Sequence, residues 1–333
     1  MTATSFSQKG NHSGFRWHGP ALAALALAAY WPVLNSHPLM DDHLFFSWLE
    51  KTPWRDAISQ RLTGNWILNF PQMRMYRPVS GLWQATMYQL FKANPLPHHL
   101  MNLLLHCGTG LLAGVFAFRL SDNKKTGWLV ASLMLFHPRA VLGVSLIYNF
   151  YDPLVTFLMM ISLVCLSTVR RNWRSRLVPI QIAVLWLSIG LSLGAKEVAL
   201  PLPVVLLAAE LLWETKKRKG GRVIACHAGP AGLLILYMVA RTRFVGHPFR
   251  THDPHTGFPL PPDSYLWVPF WDGLLLVFSI VGCALIHRWH KLRELLPRAS
   301  DWMLLWCGCM LLPAVHFCSQ VTSRLYRSLL GCF

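Results

Sequence analysis

Two aspartates stand side by side in the stretch HPLMDDHLFF, Asp41 and Asp42, in a chain with only 14 acidic residues among 333. Adjacent carboxylates repel one another, and a divalent metal such as Mg or Mn, or a basic partner, relieves the repulsion. One of the pair can also serve as general base on a hydroxyl. The competing role is capping: Asp42 precedes the helical stretch HLFFSWLEK, and Asp is a favoured N-cap. Capping accounts for one aspartate, not both. A second candidate is LGAKEVALPLP, where Lys196 and Glu197 form a tight turn between two apolar runs. A lysine there can hold a phosphate as a point charge, and the glutamate can orient it or pair with it. Arg77, in YRPVSGLW, precedes a proline and is pushed towards extended backbone; it can sit over a phosphate or over a lipid headgroup. In HHLMNLLLH, His99, Asn102 and His106 share one helix face at i, i+3 and i+7. That spacing allows a metal site, but an interhelical hydrogen-bond set is favoured. Asp152, in YNFYDPL, starts a helix and can cap it.

The elements that must position these residues are apolar. Hydrophobic residues make up 53% of the chain and charged residues 14%, with a mean hydropathy of +0.36. That is a membrane composition, well away from an ordinary soluble domain. About nine runs approach the ~20 apolar residues that a transmembrane helix needs: 20–36, 98–119, 127–147, 153–169, 177–194, 198–213, 223–240, 267–287 and 302–318. The third is interrupted by FHPR, which predicts a short span followed by a re-entrant or interfacial turn. The run from Ala21 to Val33 has no small-residue cleavage site behind it and reads as a retained first span. In the long loop 37–97, WRDAISQRL and NWILNF mix aromatic and basic residues and read as short interfacial helices. The eight cysteines form no CxxC pair, and Cys107, Cys165, Cys226, Cys283, Cys307 and Cys309 lie in apolar runs and read as packing residues.

The net charge of +17 would suggest nucleic acid on a soluble protein. Here the basic residues gather in RLSDNKK, VRRNWRSR, ETKKRKGGR and HRWHKLRELLPR, after every second run, so they set topology and no nucleic-acid partner is expected. These loops are then cytoplasmic, as is the tail 1–19. The loop 37–97 and the tail 319–333 fall on the outer face. The same alternation collects Asp41, Asp42, Asp152, Lys196, Glu197 and Arg243 on that outer face. The expected architecture is all-α: a polytopic bundle over 20–318.

The order of these motifs carries a resemblance. The acidic pair, YRPVSGLW, HHLMNLLLH, LFHP, Asp152 and AKEVALPLPVVLLAAELLW together resemble the GT-C superfamily of polytopic glycosyltransferases. The likeness is greatest to the transmembrane-and-TPR O-mannosyltransferases and their bacterial relatives. The closing SRLYRSLLG is similar to an element of that family, with Arg324 and Tyr326 matching and Arg327 where proline is usual. The resemblance implies a sugar donor on polyprenyl phosphate, a protein or glycan acceptor outside the cytoplasm, and inversion at the anomeric carbon. It implies that Asp41 and Asp42 supply the base or help hold a divalent metal. It also implies that Lys196, Glu197 and Arg324 lie near the lipid phosphate, and that the membrane is a bacterial inner membrane. Two positions depart from the family pattern: Leu142 stands where a glutamate is usual and Phe150 where an arginine is frequent. Relatives continue beyond the ninth span, so a truncated, inactive homologue is one rival expectation. A non-enzymatic binder or transporter of lipid-linked sugar is the other; it would place ionisable residues such as Glu210 and Asp272 along a path.

Overall fold

Proline sets where several helices begin, because its fixed φ suits the first helical turn and its missing N–H is not needed there. A computed structural model describes residues 15–39, 41–63, 76–137, 140–213 and 220–245. In chain order the helices are α1 (Phe15–Ala29), α2 (Trp31–Leu34), α3 (Asp41–Lys51), α4 (Trp54–Leu62), α5 (Pro78–Phe91), α6 (Pro95–Ser121), α7 (Lys124–Phe136) and α8 (Ala140–Ser145). A 3-10 turn, Tyr148–Phe150, leads into α9 (Tyr151–Arg171) and α10 (Val178–Ala195). A second, Glu197–Ala199, leads into α11 (Leu202–Trp213) and α12 (Gly220–Val245). The first turns of α2, α5, α6 and α10 hold a proline. Asn94 caps α6 through Leu96 N–H, and Asn123 caps α7 through Lys125 N–H, each with its side-chain oxygen.

Among the described residues, four helices are long and apolar enough to cross a membrane: Pro95–Ser121, Tyr148–Arg171, Val178–Ala195 and Gly220–Phe244. The other runs are broken where the sequence carries turn formers. The first run divides at Tyr30 into α1 and α2, and the sixth opens on a 3-10 turn before the proline-flanked start of α11. The third divides as FHPR predicts: α7 ends at Phe136, His137 is extended at φ −65° and ψ 127° ahead of Pro138, and α8 follows. The runs 267–287 and 302–318, NWILNF and Arg324 lie outside the described residues.

The helix directions alternate. α6 and α7 run antiparallel with small residues between them: a Cβ on Gly110 would come within 2.6 Å of Leu135, and one on Gly114 within 2.8 Å of Ala131 and the Gly127 carbonyl. Small residues at this spacing let two membrane helices approach closely. α9 lies parallel to α6, with Arg119 near Ser167 and Gly108 under Phe157, and antiparallel to α10 through Ser162 and Ser188. α12 runs parallel to α10, where Trp186 donates to Ala225 O and lies against Gly229. The largest core cluster joins α6, α9, α10 and α11. One end of the bundle therefore collects the basic stretches that follow α6 and α9, with Arg171 on Asp122 at 2.5 Å. The other end collects the starts of α6 and α9, the ends of α10 and α12, and the segments α3 to α5.

Candidate functional site

The acidic pair divides its labour. Both aspartates lie in the first turn of α3, where free N–H groups and the helix dipole favour negative charge. Asp42 is fully buried. Its Oδ2 reaches back to accept from Leu39 N–H at 2.9 Å, the reach-back of a capping box. Its Oδ1 accepts from Tyr148 N–H at 2.6 Å, which ties α3 to the 3-10 turn 106 residues on. Each Asp42 oxygen is thus taken by a backbone amide, and among the described residues no three His, Cys, Asp or Glu side chains gather as a metal set. Asp41 is exposed and within electrostatic reach of Tyr148. It is the carboxylate of the pair that can meet a substrate.

From Tyr148 the site runs along one aromatic step. The Tyr148 and Tyr151 rings meet edge-on, with centroids 5.9 Å apart. Two cations then lie on Tyr151: the Arg77 guanidinium at 4.8 Å from the ring centre and the Lys196 ammonium at 4.6 Å. Such cation–π contacts hold positive groups beside an apolar surface at modest cost. Lys196 pairs with Asp152. Arg77, which precedes Pro78 and starts α5, donates through Nε and Nη2 to Glu197 Oε2, both at 2.7 Å. Arg241 from α12 donates to Glu197 Oε1 at 3.0 Å. Burial disfavours charge on Glu197, but the Arg77 and Arg241 guanidiniums outweigh it and hold the carboxyl down at about 2. The same pairing overcomes burial of Arg77 and raises its pKa.

The Lys196–Glu197 pair expected from adjacency does not form. Lys196 is extended at φ −158° and ψ 147°, so neighbouring side chains leave on opposite sides. Lysine goes to Asp152 and glutamate to two arginines. Asp152 accordingly serves an ion pair where the sequence predicts a cap. The structure places Arg77, Asp152, Lys196 and Glu197 in one contact chain, joined to the acidic pair through Tyr148.

His99, Asn102 and His106 do form the interhelical set that their spacing favours. His99 Nε2 lies 3.2 Å from Ser36 Oγ, Asn102 Nδ2 donates to Val144 O and Leu146 O at 3.4 and 3.1 Å, and His106 Nε2 donates to Leu135 O at 3.0 Å. They fasten α6 to α2, α7 and α8.

Two arginines escape sequence reasoning. Arg241 is buried, whereas Arg243, the residue the loop pattern selects, is exposed. The signal lies in the helical period: Arg241 follows buried Tyr237 by four residues on one face of α12. Arg61 is 1% exposed and lies under two rings, 4.3 Å from Trp48 and 5.5 Å from Phe45. Burial pushes its guanidinium down to about 9. Glycine at 81 makes this possible, since a Cβ there would stand 2.6 Å from Arg61 Cβ. Arg61 follows buried Ala57 by four residues, which marks the inward face of α4.

At the opposite end Glu210 is buried between Arg222, whose Nε donates at 3.0 Å, and His227, whose Nε2 donates at 2.5 Å. Of the two ionisable residues that would mark a transport path, Glu210 has both oxygens engaged, and Asp272 lies outside the described residues.

Helices of membrane length joined in an alternating bundle define an integral membrane protein, and Arg77, Asp152, Lys196, Glu197 and Arg241 gather at the end of it away from Arg171 and Asp122. Residues 76–245 match the family model of dolichyl-phosphate-mannose-protein mannosyltransferases, a GT-C family, and the chain belongs to that family. The match takes in Arg77, Asp152, Lys196, Glu197 and Arg241; Asp41, Asp42 and Arg61 precede it. No curated protein and no solved structure matches the chain.

Proposed function

We propose that this membrane mannosyltransferase moves a sugar from a polyprenyl-phosphate donor to an acceptor hydroxyl outside the cytoplasm. The observation that carries the reading is the gathering of Lys196, Arg77 and Arg241 around Tyr151 and Glu197, joined through Tyr148 to the segment that carries the exposed carboxylate of Asp41. The leaving group of such a reaction is a lipid phosphate. Fixed cations aimed at it stabilise the charge that develops as the sugar–phosphate bond breaks. Lys196 is the contact for a phosphate oxygen; Arg77 and Arg241 hold Glu197 and set the local field. As the acceptor oxygen bonds to the anomeric carbon from the opposite side, its proton passes to Asp41. Asp42 fixes the helix that presents Asp41. Arg324, outside the described residues, is a further candidate near the phosphate. No step is assigned to a metal.

Basic loops stay cytoplasmic in membrane proteins, so the end that carries the site faces outwards, the periplasm in a bacterial inner membrane. The test is donor-lipid binding to purified protein. Lys196→Gln removes one charge-assisted hydrogen bond, about 1.5–3 kcal/mol, so affinity falls by roughly one to two orders of magnitude. Wild-type affinity in this variant would end the phosphate assignment. For orientation, an impermeant thiol reagent added from outside labels a cysteine placed at Pro254 and spares one at Lys217; the reverse pattern would turn the site inwards.

A further inference from the structure

Arg77, at the head of α5, and Ser80 and Gln84 within it stand at i, i+3 and i+7, on one face of the helix. All three are buried, so each polar group must find its partner inside the protein. Their partners lie in two turns far apart in the chain. Arg77 holds Glu197 and Ser80 donates to Ala195 O, on either side of Lys196. Gln84 reaches the other turn, where its Nε2 donates to Tyr148 O at 3.1 Å. A carbonyl only accepts, so the amide nitrogen and not the oxygen faces Tyr148. The Gln84 Oε1 is left buried with no hydrogen-bond partner. Gln84 therefore makes one bond and strands one acceptor, a poor arrangement for stability alone.

Tyr148 is gripped at both ends of its own backbone. Asp42 accepts from its N–H at 2.6 Å, and Gln84 donates to its carbonyl. Asp42 stands beside Asp41 in the first turn of α3. Ser80 and Gln84 are four residues apart, about 6 Å along the helix axis. One face of α5 thus fixes the turn of Lys196 and, one helical turn further on, the residue to which the helix of Asp41 is tied. We propose that Gln84 is a positioning residue for sugar transfer: through Tyr148 and Asp42 it fixes where Asp41 stands relative to Lys196, whose turn Arg77 and Ser80 hold. The inference rests on the reading of Asp41 as the base. Gln84 touches neither substrate nor the transferred proton. Without it, Arg77 and Ser80 still hold the turn of Lys196, so the donor's phosphate keeps its contact. What suffers is the step in which the acceptor oxygen bonds to the anomeric carbon and gives its proton to Asp41, because that step depends on alignment.

The experiment compares Gln84→Met with the wild type, Ser162→Ala and Asp41→Asn, each as the full chain in detergent. Transfer is followed from a polyprenyl-phosphate mannose to a short threonine peptide and to methyl α-mannoside, with donor binding and melting temperature read on the same samples. In Gln84→Met, kcat should fall about tenfold, the effect of a sub-ångström misplacement. Donor affinity should stay within about twofold of the wild type. Melting temperature should barely move, because the lost hydrogen bond and the removed stranded oxygen offset one another. Ser162→Ala should do the reverse, with a lower melting temperature and an unchanged kcat. Added to Asp41→Asn, Gln84→Met should bring no further loss of the residual rate, because residues that act as a unit are not additive. An unchanged kcat in Gln84→Met overturns the proposal. So does a parallel loss of donor affinity, or a full further loss on top of Asp41→Asn. Should Gln84→Met fail to fold, Gln84→Leu is read in its place by the same criteria. No transfer by the wild type to either acceptor defeats the transferase reading and this role with it. Transfer by the wild type with an unaffected Gln84→Met defeats this role alone.

Discussion

Two carboxylates fasten the segment from Glu197 to Trp213 against α12, one at each end, and they differ in what surrounds them. Glu210 sits between Arg222 and His227, with side-chain exposures of 0, 5 and 8%. Arg170 from α9 stands within electrostatic reach. The group is sealed, and its chemistry ends with its own hydrogen bonds. Glu197 is held by Arg77 and Arg241, but its side chain is 24% exposed, as is that of neighbouring Lys196. Around it, among the described residues, three cations face the two carboxylates Glu197 and Asp152. A closed ion cluster in a membrane protein joins helices. An ion cluster with an accessible lysine can also receive an anion.

The largest expected effect separates these two ends. Glu197→Gln leaves Arg77 and Arg241 buried without their counter-ion, and Glu210→Gln does the same to Arg222. Each should destabilise by about 3–5 kcal/mol, the cost of breaking a buried pair. Thermal unfolding in detergent should show similar losses in both. Donor-lipid binding should not: Glu197→Gln rearranges the cations of the site, whereas Glu210→Gln leaves them in place. Equal loss of binding in both variants would erase the distinction between a receiving cluster and a fastening one.

Acid offers a way to weaken Glu197 without mutation. Its carboxyl titrates near 2 in the fold and near 4.5 when unfolded. A carboxyl with a depressed folded value contributes stability that is complete above the unfolded value and is lost as pH falls through the folded one. The contribution, on the order of 3 kcal/mol, is therefore steady from pH 8 to about pH 5 and disappears between about 4.5 and 2. Melting temperature plotted against pH should fall in that window, and the fall should be shallower in Glu197→Gln. Parallel curves would show that the arginines do not depress Glu197.

The acidic pair gives the same contrast within two residues. Asp42→Asn puts an amide NH2 opposite a backbone N–H in a fully buried position, so stability should drop by about 1–3 kcal/mol. Asp41→Asn changes an exposed side chain, and its effect on stability should stay within about 0.5 kcal/mol. Its effect on rate should be large, roughly 10²- to 10⁴-fold in kcat, because an amide cannot take the proton. A stable, inactive Asp41→Asn beside an unstable Asp42→Asn is the expected pattern. Full activity in Asp41→Asn would remove the base.

How much of this was legible in the sequence follows from the range of each interaction. Apolar runs are local, so the membrane helices α6, α9, α10 and α12 are read directly from length and hydropathy. Turn chemistry is also local: FHPR ends α7 where it should. Loop charge alternates simply, so it brings Asp41, Asp152, Lys196 and Glu197 to one end. Pairing is not local. Nothing near Lys196 in the chain shows that Asp152, 44 residues earlier, is its partner. Nothing near Glu197 reveals Arg77, 120 residues away. α5 is missed as an element because YRPVSGLW reads as a site motif, although its proline is the start signal of a helix. Arg61 and Arg241 are missed because a charged residue on an inward helix face resembles one on an outward face until its neighbours are known.

The smallest test concerns how the turn carrying Lys196 is held. Ser80 in α5 donates to Ala195 O at 2.7 Å, one residue before Lys196, and both groups are buried. Val79 packs against Gly194 beside it, so α5 grips the end of α10 at two successive residues. Ser162 and Ser188 make a comparable buried hydrogen bond at 2.8 Å in the middle of the α9–α10 contact, away from the site. Each serine changed to alanine should cost about 0.5–1.5 kcal/mol. The two variants should part in function. Ser80→Ala loosens the backbone that aims Lys196 and should weaken donor binding about two- to threefold, the equivalent of roughly 0.5 kcal/mol. Ser162→Ala should leave donor binding unchanged, because its hydrogen bond touches no residue of the ion group. Isothermal binding of donor lipid to the two variants, with melting temperatures measured in parallel, separates a local hold on Lys196 from a general loss of rigidity. Equal weakening in both would mean that the rigidity of the α9–α10 contact as a whole, and not the α5 contact, sets the position of the lysine.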